Sequence, residues 1–509
     1  MYWLTYILLL TAAFAVDDIA ASPAQVSFQV QDTKPKKLHG RFLHITDIHP
    51  DPHYAPHAAE STACHRKKSK KKKNVASYYG TPYAECDSPF RLTNFTLDYL
   101  KDNWANEIDF VVCTHDNDRK IPRTPSEIND LNRVIADKMD KVFTKQGVPV
   151  VPSLGNNDVW HQTGPNSITN EFASIWKSFI PFPYLQVFQR GHITRLNTMY
   201  FYDSNKVVAG CPYKQPNDPG NLQFDWLEVQ LEMYRHVPPS SGNYFPECYV
   251  RYVDLALRYQ DTILGHLFGF FFLEAADLEI FPALDGKSRT TSEADLFQTL
   301  VDNWGSLPKS ANLTEYAVVN VAPSIVPNPY TPAFRVFSYN TKEEKAKKAF
   351  KTKAWPPSGG KGDKNVHCKT EEYRDTWRCH LGGSWYHDPN SPSQLNQRWT
   401  PLGYAQVSIY YIPKLKRANK THTPVFELEY LTYPIDSLHP NDVGREFQYP
   451  VPLGLLPETL REGGAEKSKY APYRMGDLTI GSWIRLARQI ADSRGRKVQR
   501  RFRKYMYLE

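Results

Sequence analysis

Long apolar runs are scarce in this 509-residue chain, and so is any overall bias of charge. Residues 2–16, YWLTYILLLTAAFAV, form an unbroken apolar stretch, and no later run is long enough to cross a bilayer as a helix, which excludes a bundle of several membrane-spanning helices. No internal repeat is present, which excludes a solenoid of recurring units. The excess of 62 basic over 54 acidic residues gives +8, too small a bias for this length to define the whole surface. Seven cysteines allow at most three disulfides with one thiol left over.

What is present describes a globular chain sent into the secretory pathway. A hydrophobic content of 41% and an aromatic content of 13% are enough to bury a sizeable core. The length corresponds to roughly two to four domains, or to one large domain with appendages. The apolar stretch 2–16 is short for a membrane helix, ends at Asp17 and Asp18, and has no Lys or Arg before it. Residues 1–18 therefore read as a signal peptide, with a type II signal anchor as the alternative. Asn94, Asn312 and Asn419 each open an acceptor sequon for N-glycosylation. Cys64 with Cys86, and Cys368 with Cys379, are the local pairings expected first; Cys113, inside an apolar run, is expected to be a buried free thiol.

Residues 41–54, RFLHITDIHPDPHY, carry the chemistry. Phe42, Leu43 and Ile45 make a short buried strand that stops where Asp47, His49, Asp51 and His53 begin. Side chains two apart on an extended chain point the same way, so Asp47 and His49 could grip one cation. A carboxylate beside an imidazole suits zinc, manganese or iron better than calcium. The alternative is an ordinary polar loop.

The helix-like stretch 90–105, the apolar run 108–114, the helical stretch 128–143 and the run 147–154 follow. Strands alternating with amphipathic helices predict a mostly parallel sheet covered on both faces. Each strand ends in polar residues: Asp47 and His49, then His115 to Asp118, then Gly155-Asn156-Asn157-Asp158. Three such ends in succession favour a metal centre at one sheet edge. His236 and His266, taken singly, read as structural residues. Residues 405–411 and 426–433 alternate as late strands. Cationic blocks at 66–73, 342–364 and 494–504 attract polyanions without sequence preference.

The pattern Asp-x-His, then GNND, then HVPP resembles the calcineurin-like metallophosphoesterases. Within them LHITDIHPDPHY, PSLGNND, NTMYFYD and NLQFDWLE resemble the fungal vacuolar endopolyphosphatases, relatives of acid sphingomyelinase. The resemblance runs from about residue 41 to the C-terminus, more loosely after residue 304. It implies an α/β fold, a four-layer αββα sandwich, with two divalent cations (manganese, cobalt, magnesium, zinc or iron) at the strand ends. Asp47 and His49 would hold the first, Asn156 and His236 the second. Asp116 would be a further ligand, Asp158 a proton donor to the leaving group, and Lys67, Lys68, Lys70 and Lys71 a cradle for substrate. A catalytic domain over 38–305 and an extension over 306–509, with a basic linker at 342–364, are expected.

The implied activity is hydrolysis of internal phosphoanhydride bonds in inorganic polyphosphate. The alternatives are a sphingomyelinase-like phosphodiesterase and a catalytically impaired polyanion-binding glycoprotein. The resemblance further implies a vacuolar membrane protein with its catalytic domain in the lumen, matured by a processing protease and with no specific nucleic-acid partner. A soluble lumenal or secreted form is the alternative. Four expected pieces are absent: Gly-Asp after residue 114, part of 190–197, an apolar strand before His236, and the ligand pair after residue 269. The clean flanks favour short excised blocks, with some core segments missing, over drift; the alternative is a chain that is real as written and lacks metal ligands and a core strand.

Overall fold

The computed structural model describes residues 38–65, 74–114, 124–155, 158, 171–180, 200–230, 244–269, 278–280, 296–342, 368–370, 379, 390–438, 451, 456–461 and 467–507, apart from 204, 207, 213, 329 and 493. The expected signal or anchor segment, residues 1–18, lies outside them, as do the basic blocks 66–73 and 343–364. His39–Glu509 form one compact unit.

The expected order of elements is present. β1 (Arg41–Thr46) is followed by the short strands β2 (Pro50–Asp51) and β3 (Ser88–Pro89), helix α1 (Phe90–Asn103), β4 (Phe110–Thr114), α2 (Pro125–Val142) and β5 (Val150–Ser153). α2 begins where it does because Thr124 caps it: its hydroxyl accepts the Glu127 N–H while Glu127 reaches back to the Thr124 N–H, and Pro125 fills the first turn. Ile128, Leu131, Ile135, Met139 and Val142 then fall on one buried stripe. Leu92, Leu97 and Leu100 do the same on α1.

β1 is buried along its whole length because it is a central strand. It pairs parallel with β4 on one side and antiparallel with β9 (Ala333–Tyr339) on the other, placing Phe42 opposite both Phe110 and Phe337. The three rings stack at 4.8 and 4.9 Å. β10 (Pro401–Ser408) and β11 (Glu427–Leu431) extend the sheet to the order β11-β10-β9-β1-β4-β5. Strands from 306–509 thus share one sheet with strands from 38–305.

A second sheet, order β6-β8-β7, is built from β6 (His266–Phe268), β7 (Leu278–Ile280) and β8 (Val318–Val321). Arg335 of β9 ties the sheets together by donating to the Val321 carbonyl at 2.6 Å. Leu43, Ile45, Val111 and Cys113 share a core with α1 and α2. Phe42, Val112, Phe337 and Tyr430 instead join Val318 of β8 and the helices α5 (Leu296–Gly305), α6 (Ile480–Ala491) and α7 (Arg496–Tyr507). Between β5 and β6 in sequence come α3 (Pro219–Gln230) and α4 (Pro246–Arg258). This is an α/β sandwich. Among the described residues no helix is long and apolar enough to cross a membrane.

The disulfides are Cys64–Cys86, Cys368–Cys379 and Cys211–Cys248, and Cys113 is the buried free thiol. The third pair, joining the loop before α3 to α4, has no local signal in the sequence.

Candidate metal centre

The strand β1 ends in a strained turn. Asp47 and His49 have φ of 48° and 43°, a left-handed conformation that costs non-glycine residues energy and recurs at functional sites. The turn is held from both sides: the Thr46 and Asp47 carbonyls accept the N–H groups of Ile325 and Val326 at 3.1 and 2.9 Å, and the His49 carbonyl accepts that of Ser88 at 2.9 Å. Asp47 and His49 therefore do not lie along an extended strand, as their spacing alone suggests. The turn nevertheless brings them together, with His49 Nε2 and Asp47 Oδ1 3.5 Å apart and both residues buried.

A residue that the sequence reading missed completes this corner. Asp87 is buried, and its Oδ1 lies 3.2 Å from His49 Nδ1. With Nδ1–H donating to Asp87, the lone pair of Nε2 faces the Asp47 carboxylate. A divalent cation between them would be bound by both, and the Thr46 hydroxyl adds a hydrogen bond to Asp47 Oδ2. The oxygen and nitrogen donors fit a divalent metal of intermediate hardness. Next to it, His65 Nε2 meets Asp51 Oδ2 at 2.6 Å, and Asp51 Oδ1 accepts the His53 N–H at 2.8 Å.

Asp158 is also buried, and its Oδ2 accepts the Gly155 N–H at 2.8 Å, closing the turn after β5. Burial first, then the negative charges of Asp158 and Asp47, hold the Cys113 thiol well above its ordinary pKa. β1, β4 and β5 run parallel, so Asp47, just past β1, and Asp158, in the turn after β5, lie at the same edge of the sheet. Asn156, His236, Asp116, Lys67, Lys68, Lys70 and Lys71 lie outside the described residues, and among those described no group of three or more ligating side chains is assembled. His266 is buried in β6, where its Nδ1 hydrogen-bonds the Tyr252 hydroxyl, a structural role as expected. Asn94, Asn312 and Asn419 are all exposed.

A family model described as calcineurin-like phosphoesterase matches residues 40–267. The chain is 35% identical to the endopolyphosphatase of Cryptococcus neoformans over 91% of its own length and 90% of that protein's. It is 29% identical to the endopolyphosphatase of Schizosaccharomyces pombe over 90% and 84%, and 37% identical to that of Saccharomyces cerevisiae over 52% and 44%. The chain belongs to the calcineurin-like phosphoesterases and, within them, to the family of the fungal endopolyphosphatases. Calcineurin-like phosphoesterases use divalent metal ions, typically two. The alignment to the Cryptococcus protein runs over 624 positions, more than the 509 residues of this chain, so that relative carries stretches with no counterpart here.

Proposed function

We propose that the chain is a metal-dependent phosphoric anhydride hydrolase, an endopolyphosphatase that cuts internal bonds of inorganic polyphosphate into shorter chains. The observation that carries the reading is the buried Asp47–His49 corner at the end of β1 in a chain that aligns along nine-tenths of a named endopolyphosphatase. A water oxygen attacks phosphorus in line, and the bridging P–O bond on the far side breaks. Divalent cations bound at this edge supply Lewis-acid charge for the phosphoryl oxygens and acidify water.

The chain's own residues do the rest. Asp47 and His49 hold one cation, and Asn156 and His236 the second, with Asp116 a further ligand. Asp158 hands a proton toward the leaving group, which as a phosphate chain needs little help. The lysines of 66–73 and the cations of α7 hold the flanking polyanion as point charges. Arg496, Lys497, Arg500, Arg503 and Lys504 are exposed on α7, while Phe502 and Tyr505 are buried against the core. A lipid diester would call for an apolar docking face instead, and the basic surface favours polyphosphate.

The same proposal places the protein at the vacuolar membrane, anchored by residues 2–16 with the catalytic unit in the lumen and open to a processing protease. Three disulfides and three exposed sequons support an oxidising, secretory route. Membrane fractionation of cells, with protease protection of the C-terminal unit, tests the placement. Side-by-side turnover of long-chain polyphosphate and of sphingomyelin tests the substrate: hydrolysis of the lipid alone overturns the proposal.

A further inference from the structure

We infer that Asp87 is a positioning residue that sets the metal-facing nitrogen of His49. The inference rests on His49 being a metal ligand, as proposed above. A buried carboxylate must find a partner, and the one Asp87 finds is the ring nitrogen turned away from Asp47, at 3.2 Å. That contact fixes the tautomer. The proton stays on Nδ1, the Nε2 lone pair points to the Asp47 side at 3.5 Å, and the negative charge behind the ring makes Nε2 a stronger donor.

The backbone around Asp87 is tied to the turn and to the segment that follows it. Cys86, the residue before it, is cross-linked to Cys64. Ser88, the residue after it, donates to the His49 carbonyl, and β3 pairs with β2 through Pro50↔Ser88 and Asp51↔Pro89. Cys64 in turn precedes His65, which meets Asp51. The cross-link therefore fastens together two carboxylate–imidazole pairs, and the carboxylate behind His49 cannot drift without breaking the strand pairing. A merely structural ion pair would need no such alignment with the far nitrogen.

The test compares Asp87→Ala and Asp87→Asn with the full chain by two readouts. The first is Mn2+ affinity by calorimetry, with thermal melting to establish that each variant folds. Loss of an outer partner of a ligating histidine costs about 10- to 100-fold in metal affinity. Asp87→Ala is expected in that range, and Asp87→Asn, which still accepts from Nδ1–H but carries no charge, between it and the parent. The second readout is the tautomer of His49 from its ring 15N shifts, assigned by their loss in His49→Gln. The parent and Asp87→Asn are expected in the Nδ1–H form, and Asp87→Ala outside it. Unchanged Mn2+ affinity in Asp87→Ala, or a His49 tautomer indifferent to Asp87, overturns the inference. A parent that takes up no Mn2+ sinks the metal reading itself, and the ring nitrogens then still decide whether Asp87 orients His49.

Discussion

The Tyr339 hydroxyl donates to Asp109 Oδ2 at 2.7 Å across 230 residues of sequence, and the same carboxylate accepts the backbone N–H groups of His39, Gly40 and Arg41. One side chain before β4 therefore fixes where β1 starts and where β9 ends. Burial first, then the contact with Asp109, pushes the Tyr339 phenol far above its usual pKa, so it remains a donor at any working pH. Tyr339→Phe is expected to cost about 1 kcal/mol, one hydrogen bond among several. Asp109→Ala strands four donors and should cost several times more, of the order of 3 kcal/mol. Urea unfolding of both variants checks the ranking; equal costs would contradict it.

His44 makes the fold sensitive to acid. It is fully buried in β1, neither ring nitrogen has a hydrogen-bond partner among the described residues, and burial, then the Arg335 charge, depresses its pKa from 6.5 to about 3. Between those values the unfolded chain binds a proton that the folded chain refuses. The stability held by the neutral ring is thus complete above about pH 6.5 and lost as the pH falls toward 3. Each pH unit in that window costs about 1.4 kcal/mol. The loss between pH 7 and pH 5 is expected to be smaller in His44→Phe than in the parent by about 2 kcal/mol, read from denaturant midpoints. Parallel pH profiles would contradict the assignment.

The C-terminal helix should behave as an anion surface. From Arg494 to Tyr507 the chain has no acidic residue, and α7 is anchored by Phe502 against Trp304 and by Tyr505 against Tyr430, with ring centroids 5.5 and 4.7 Å apart. Changing Arg500, Arg503 and Lys504 to Gln removes three exposed charges while keeping both anchors. Long-chain polyphosphate binding is expected to weaken, and its dependence on salt to become shallower. An unchanged salt slope would show that α7 takes no part.

The three exposed sequons give a separate check on the secretory route. Protein from its native cells should lose mass in up to three steps on enzymatic deglycosylation, and replacement of Asn94, Asn312 or Asn419 by Gln should remove one step each. Protein with no glycan at all would argue against passage through the secretory pathway.

Much of the first half of the fold was legible because it is local. Apolar runs and helical spacing mark β1, α1, β4, α2 and β5, and close spacing marks the Cys64–Cys86 and Cys368–Cys379 pairs. What stayed hidden depends on meetings between distant segments. β9 enters the sheet beside β1, although its sequence lies in what reads as an extension, because antiparallel pairing over some 300 residues leaves no local period. Cys211–Cys248 is hidden for the same reason. At the site, Asp47 and His49 were legible from residue type and spacing, but not the left-handed turn that joins them. Asp87 sits in ECDSP, where an Asp beside Ser and Pro is ordinary turn chemistry; its single clue was its neighbour Cys86.

The proposal that four short blocks are excised from this sequence bears on every activity measurement. Transcript reads through the codons for residues 110–120 are expected to carry additional codons after Thr114, and reads in the present order would contradict the excision.

The most direct measurement uses protein expressed from the sequenced transcript: long-chain polyphosphate resolved by length after incubation with Mn2+, Co2+ or Mg2+, with and without a chelator, for the parent and for Asp47→Ala and His49→Ala. Mid-length chains are expected to appear with metal, to vanish with chelator and to be lost in both variants. Folded, metal-supplied parent that leaves the chains intact, or shortening that persists in Asp47→Ala and His49→Ala, would contradict that expectation.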